Sequence, residues 1–138
     1  MFVLFALAIA GATAGCTGTP ASPTVTAPFS QSDLRVGTGA EAAAGNVLTV
    51  NYTGWLYDAS KPDKKGLEFD TSLGRAPFQF RLGTSEVIAG WDRGVLGMKV
   101  GGLRQLIIPP SLAYDGVRSG PIPPNATLVF EIELLAVQ

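Results

Sequence analysis

Val47-Leu-Thr-Val-Asn-Tyr-Thr-Gly-Trp-Leu56 is the stretch on which the fold turns. Leu48, Val50, Tyr52 and Leu56 fall on one face and Thr49, Asn51 and Thr53 on the other. That period of two marks a strand with one face in a core and one in water. Working outward, Phe78 to Leu82 alternates in the same way, with Phe78, Phe80 and Leu82 against Gln79 and Arg81. Leu103 to Ile108 reads as a strand, opened by the turn Gly101-Gly102 and ended by Pro109-Pro110. Ala126 to Val137 closes the chain with Leu128, Phe130, Ile132 and Leu134 on one side, and Asp33 to Val36 supplies a short strand ahead of Gly37-Thr38-Gly39. Only Glu86 to Met98 changes period: Val87, Trp91, Val95 and Met98 recur as one face of a helix of about three turns. Gly90, Gly94 and Gly97 weaken that helix in isolation, so packing must hold it, with Trp91 pointing inward. Asp58 to Gly66 and Tyr114 to Pro124 carry the Pro, Gly, Ser and charge clusters of exposed loops. The expectation is an α+β domain: a curved antiparallel sheet of about five strands wrapped around one short helix.

Composition removes much chemistry. The 138 residues include ten basic and eleven acidic side chains, a net charge of −1, with no dense basic run, which argues against nucleic-acid binding. There is no histidine, so neither a Ser-His-Asp nor a Cys-His arrangement exists, and a histidine metal site is excluded. The one cysteine, Cys16, allows neither an internal disulfide nor a thiolate cluster. Catalysis here has to proceed without histidine, and the expectation is no metal and no cofactor. Asn51-Tyr-Thr and Asn125-Ala-Thr match the N-glycosylation pattern, but the first lies inside a strand and both read as accidental.

Three segments are expected. Residues 1–16 form a leader: Met1 to Ala14 is an uncharged apolar run too short to span a bilayer, which needs about 20 residues, but suited to a secretory signal. Thr13-Ala14-Gly15-Cys16 is similar to a bacterial lipobox, in which Cys16 would be lipidated and become the mature N-terminus. Thr13 departs from that pattern, as does the lack of Lys or Arg before the apolar run. Export to the periplasm or cell envelope, with lipid attachment at Cys16 as the sole membrane contact, follows as an expectation. Residues 17–32, rich in Thr, Ser, Ala and Pro and uncharged, read as a tether. Residues 33–138 form the folded domain.

The domain carries eight motifs in order: Val50-Asn-Tyr-Thr-Gly-Trp-Leu56, Phe69-Asp-Thr-Ser72, Pro77-Phe-Gln-Phe80, Glu86-Val-Ile-Ala-Gly-Trp91, Gly101-Gly-Leu-Arg104, Ile108-Pro-Pro110, Ala113-Tyr114 and Ile122-Pro-Pro-Asn-Ala-Thr-Leu-Val-Phe130. Together they resemble the FKBP family of peptidyl-prolyl cis-trans isomerases, from Asp33 to the C-terminus. The resemblance implies a pocket between helix and sheet, lined by Tyr52, Phe69, Phe78, Val87, Ile88, Trp91, Tyr114, Ile122 and Phe130. It implies Trp91 as the floor beneath a substrate proline, Asp70 and Tyr114 as the polar groups, and Arg75 as the support of Asp70 and Tyr52. Tyr114 and the Ile88 N–H are the expected donors to a substrate carbonyl. The implied partners are proline-containing polypeptides and macrolides such as rapamycin, and a monomer is the default state. Departures fall in the loop Tyr114 to Pro124, where Asp115 follows the tyrosine in place of a common glycine and Pro121 replaces an aliphatic residue. A binding or chaperone module with little isomerase activity is the alternative. Each residue also has a plainer use: Trp91 and Phe130 as core, Asp70 as a turn cap, Tyr52 as a cross-strand pair, Arg75 as a surface charge.

Overall fold

The computed structural model describes residues 27–138. The expected leader, Cys16 and residues 17–26 of the expected tether lie outside the described residues. Six strands and one α-helix follow in order: β1 (Ser30–Arg35), β2 (Val47–Tyr57), β3 (Lys65–Thr71), β4 (Phe78–Arg81), α1 (Ala89–Gly94), β5 (Leu103–Ile108) and β6 (Leu128–Val137), with a 3₁₀ turn at Pro110–Leu112. The strands form one sheet in the order β1-β5-β6-β2-β3, and β4 also pairs with β2. Every pairing is antiparallel.

Strand β2 is the spine. Along one edge it pairs with β6 from Leu48↔Val137 to Leu56↔Leu128. Its other edge is shared. The first half pairs with β4, Val47↔Arg81 to Val50↔Phe78. The second half pairs with β3, Thr53↔Thr71 to Tyr57↔Lys65. Between them the chain leaves the sheet at Ser72–Pro77, held to Tyr52 by Ser72 N–H to the Tyr52 carbonyl and Tyr52 N–H to Ser72 Oγ, both 2.9 Å. The alternation in β2 does what its pattern predicts, since Leu48 and Val50 are fully buried. Leu128, Ile132 and Leu134 of β6 and Leu106 and Ile108 of β5 complete the same inner face.

The helix is shorter than the periodicity of Glu86 to Met98 predicts: six residues, beginning after an extended Ile88. Trp91, Val95 and Met98 are nonetheless all buried, because the turn after Gly94 keeps them on one side. The glycines explain the seat. A Cβ on Gly90 would stand 2.5 Å from Ile108 Cγ2, and one on Gly94 would stand 2.5 Å from Leu106 Cδ2. Only hydrogen at these two positions lets the helix backbone lie directly on β5. At the helix C-terminus the buried Arg104 donates from Nη1 to the Gly94 carbonyl at 2.8 Å and the Leu96 carbonyl at 3.1 Å, and from Nε to Asp33 at 2.7 Å. A cation satisfying the last carbonyls of a helix is favourable by charge and by hydrogen bonding.

Two further boundaries differ from the sequence expectation. Strand β1 begins at Ser30 rather than Asp33, so the last three residues assigned to the tether pair with β5. Strand β3 is the sixth strand. Its residues Lys65-Gly-Leu-Glu-Phe-Asp-Thr lack clean alternation because it lies at the sheet edge, interrupted by register shifts at Gly54/Trp55 and Trp55/Tyr57.

Candidate active site

The gap between β3 and β4 on the edge of β2 opens a cavity of about 190 Å³ above the helix, walled by Tyr52, Phe69, Asp70, Phe78, Glu86, Val87, Ile88, Trp91, Tyr114 and Phe130. Each wall has a structural cause. Tyr52 sits on the inner face of β2, and Phe69 and Asp70 end β3. Phe78 opens β4, Val87 and Ile88 lead into α1, and Phe130 comes from β6. Trp91 rises from the first turn of the helix, which is pinned to β5 beneath it.

The floor is aromatic on every side. Trp91 meets Tyr52 at 5.1 Å between ring centroids, Phe130 at 5.2 Å, Phe80 at 5.6 Å and Phe78 at 6.0 Å, all edge to face. Each such pair contributes about 0.5–1.5 kcal/mol beyond area burial, so the indole is held firmly. It is 4 % exposed, and Nε1 has no hydrogen-bond partner among the described residues. The indole N–H is therefore enclosed without an acceptor.

The polar side of the cavity is a short relay. The Tyr52 hydroxyl donates to Asp70 Oδ2 at 2.6 Å, and Arg75 Nη2 donates to Asp70 Oδ1 at 2.9 Å. The Thr71 N–H donates to the same Oδ1 at 2.9 Å. Arg75 is itself fixed by Nε and Nη2, which both donate to the Thr71 carbonyl. Burial, reinforced by the bond to the Asp70 carboxylate, pushes the Tyr52 phenol up to about 12 from its ordinary 10.0. Tyr52 is thus a fixed proton donor over the working range of pH. Tyr114, 37 % exposed, also walls the cavity. Among the described residues the Ile88 N–H is engaged by no acceptor, while its carbonyl accepts from Trp91 and Asp92.

Of the residues expected at the site, Tyr52, Phe69, Asp70, Phe78, Val87, Ile88, Trp91, Tyr114 and Phe130 converge on this one cavity. Arg75 does not line it but reaches Asp70 from outside. Ile122 also stays off the wall: it is 4 % exposed within the core. Its N–H and carbonyl exchange hydrogen bonds with Ser119 at 2.9 and 3.0 Å. Glu86 is a wall that sequence reasoning passed over. Its Oε1 accepts the Arg81 N–H at 3.0 Å, tying the end of β4 to the approach to the helix. Its position directly before Val87-Ile88 was the available signal. No group of acidic or sulfur side chains suited to a metal occurs among the described residues.

Among the described residues, a single sheet closes over one α-helix, and an aromatic cleft lies at their junction. Residues 39–135 match the family model described as FKBP-type peptidyl-prolyl cis-trans isomerase. An FK506-binding protein of Neisseria meningitidis serogroup A is 50 % identical over 108 residues, covering 76 % of this chain and 92 % of its own. The 46 kDa FK506-binding nuclear protein of Spodoptera frugiperda is 49 % identical over 107 residues, with 77 % of this chain matched to 24 % of that longer protein. Among solved structures, FkpA from Escherichia coli superposes with a TM-score of 0.68 at 40 % identity, over 80 % of this chain and 48 % of that one. AtFKBP13 gives 0.66 at 37 % identity, over 80 % and 93 %. The chain belongs to the FKBP-type peptidyl-prolyl cis-trans isomerase family, and its enzymatic class is that of a rotamase.

Proposed function

We propose that this protein accelerates rotation about X-Pro bonds in exported polypeptides by desolvating the prolyl amide over Trp91 and hydrogen-bonding its neighbours. The observation that carries the proposal is a cavity of about 190 Å³, floored by a buried indole and walled by Asp70, Tyr114 and Ile88, whose N–H has no acceptor among the described residues. The volume lies below the range of about 300–1,000 Å³ that holds drug-sized ligands, which suits a pyrrolidine ring and its flanking atoms.

The chemistry follows from the bond. Partial double-bond character makes rotation cost about 18–20 kcal/mol, and no covalent bond has to break. The planar amide is the more polarised form, so an environment that removes water from its carbonyl favours the twisted form. A thousandfold acceleration requires about 4 kcal/mol. Proline buried on Trp91 supplies binding, Tyr114 Oη and the Ile88 N–H donate to substrate carbonyls, and Asp70 presents fixed negative charge to the turning amide. Tyr52 and Arg75 hold Asp70 in place. The working substrates are proline-containing polypeptides, macrolides such as rapamycin compete for the cavity, and the domain acts as a monomer. Export and lipid attachment at Cys16 rest on the apolar run Met1 to Ala14 and on Thr13-Ala14-Gly15-Cys16. Intact mass of the mature protein from membranes tests that part, and an N-terminus other than Cys16 would remove it.

The central test is refolding of a protein limited by proline isomerisation. Acceleration that rapamycin abolishes is the expected result. Normal folding of this domain with no acceleration would favour a binding module instead.

A further inference from the structure

We infer that substrate binding continues past the proline cavity into a second groove, where Arg75 selects an acidic side chain carried by the same polypeptide within a few residues of the proline. The inference rests on the isomerase reading of the first cavity and extends it to substrate preference.

The groove is a concavity of about 470 Å³ walled by Tyr52, Ser72, Arg75, Ala76, Pro77, Phe78 and Gln79. It is built by the segment that crosses from β3 to β4, so it follows from the sharing of the β2 edge. Tyr52 and Phe78 also wall the proline cavity, so the two spaces meet across these rings, 5.9 Å apart between centroids. Phe78 is 38 % exposed, a large apolar ring left in water at this junction. A chain extended from the first cavity across Tyr52 and Phe78 enters the second and covers that ring.

The Asp70–Arg75 pair has its two ends on different sides of this divide. Asp70 lines the proline cavity and Arg75 does not, while Arg75 lines the second groove and Asp70 does not. The groove walls contain no carboxylate, and Arg75 is their one charged group. Its Nε and Nη2 are committed to Asp70 and Thr71, but among the described residues Nη1 has no acceptor, and the side chain is 63 % exposed. The two N–H groups of Nη1 can donate charge-assisted hydrogen bonds to a carboxylate. Gln79 Nε2 donates to Thr49 Oγ1 at 3.1 Å, which leaves its amide oxygen for a substrate N–H.

The test compares blocked single-proline peptides with Glu or Gln placed in turn at each of three positions on either side of the proline. Turnover is followed by NMR exchange spectroscopy. At a salt concentration of about 0.01 M, the ratio of kcat/KM for Glu over Gln is expected to reach about threefold at one or more positions on one side, the size of an exposed ion pair. At about 1 M salt, where the screening length falls to about 3 Å, the ratio returns to one. Arg75→Gln, and separately Gln79→Glu, which adds a carboxylate to the same groove wall, should each abolish the preference. Ratios are taken within each variant, so a general loss of activity does not mimic the effect. Turnover of Gln peptides with a ratio of one at every position would overturn the groove and leave the isomerase reading standing. A preference that survives both substitutions would overturn it as well. No turnover of any peptide would overturn both.

Discussion

Trp91 and Asp70 wall the same cavity, and on the proposed mechanism their removal should separate binding from chemistry. Trp91→Leu lowers the floor and strips away several edge-to-face contacts, so kcat/KM in a peptide assay should fall about tenfold or more, with KM raised. Asp70→Ala keeps the floor and removes the fixed charge, so kcat should fall by about tenfold with the fold intact by circular dichroism. Unchanged turnover in both variants would take these residues out of the site. Tyr52 makes a prediction in pH. Its phenol is raised to about 12 in the folded chain, against 10.0 for an ordinary tyrosine. The protonated form is therefore favoured by folding, and its contribution is complete below about pH 10 and lost as pH rises through about 12. Wild type should lose more stability across that interval than Tyr52→Phe, read as the difference in Tm. Most of the site was legible at this scale because aromatic residues in eight ordered motifs name their own positions. Glu86 was not, because a carboxylate before a helix has many ordinary uses. Ile122 is buried in the core, in a turn closed by hydrogen bonds with Ser119 that no motif specifies.

Elements were legible where burial imposes a pattern. The alternation of Val47 to Leu56 and the run Leu103 to Ile108 returned β2 and β5 almost to the residue, because one face of each is sealed. Strand β3 escaped because an edge strand with both faces partly in water has no pattern to betray it. The helix was overextended because buried residues on either side of it continue its periodicity through non-helical backbone. Its glycines, which looked like weakness, are the fit. Gly94→Ala should gain about 1 kcal/mol in helix propensity. The new methyl would nevertheless stand 2.5–3.1 Å from three atoms of Leu106, which is fully buried and cannot yield. Overpacking of this kind costs about 1–3 kcal/mol, so the net change should be destabilising and visible as a lower urea midpoint with unchanged slope.

Across the whole molecule the sheet is an almost continuous surface from β1 to β3, and the helix is attached to it at few places. Arg104 is a brace between three elements, since from β5 its guanidinium holds β1 through Asp33 and the end of α1 through Gly94 and Leu96. Composition gave no hint of this, because a lone arginine in a strand reads as a surface charge until the buried carbonyls beside it are known. Arg104→Ala leaves those carbonyls without a donor and should cost about 2–3 kcal/mol in chemical denaturation. Turnover of the folded fraction should survive, because Arg104 is not a wall of the aromatic cavity.

The chain has two tryptophans, and they occupy opposite optical environments. Trp55 lies under the Lys65 ammonium, 4.3 Å from its ring centroid, on the far side of the sheet from the cavity. Trp91 is the floor of the cavity itself. Replacing Trp55 with phenylalanine would leave a single tryptophan, excited apart from the three tyrosines at the red edge of absorption, whose emission should report occupancy. Affinity for any unlabelled peptide or macrolide could then be read from the light the protein already emits.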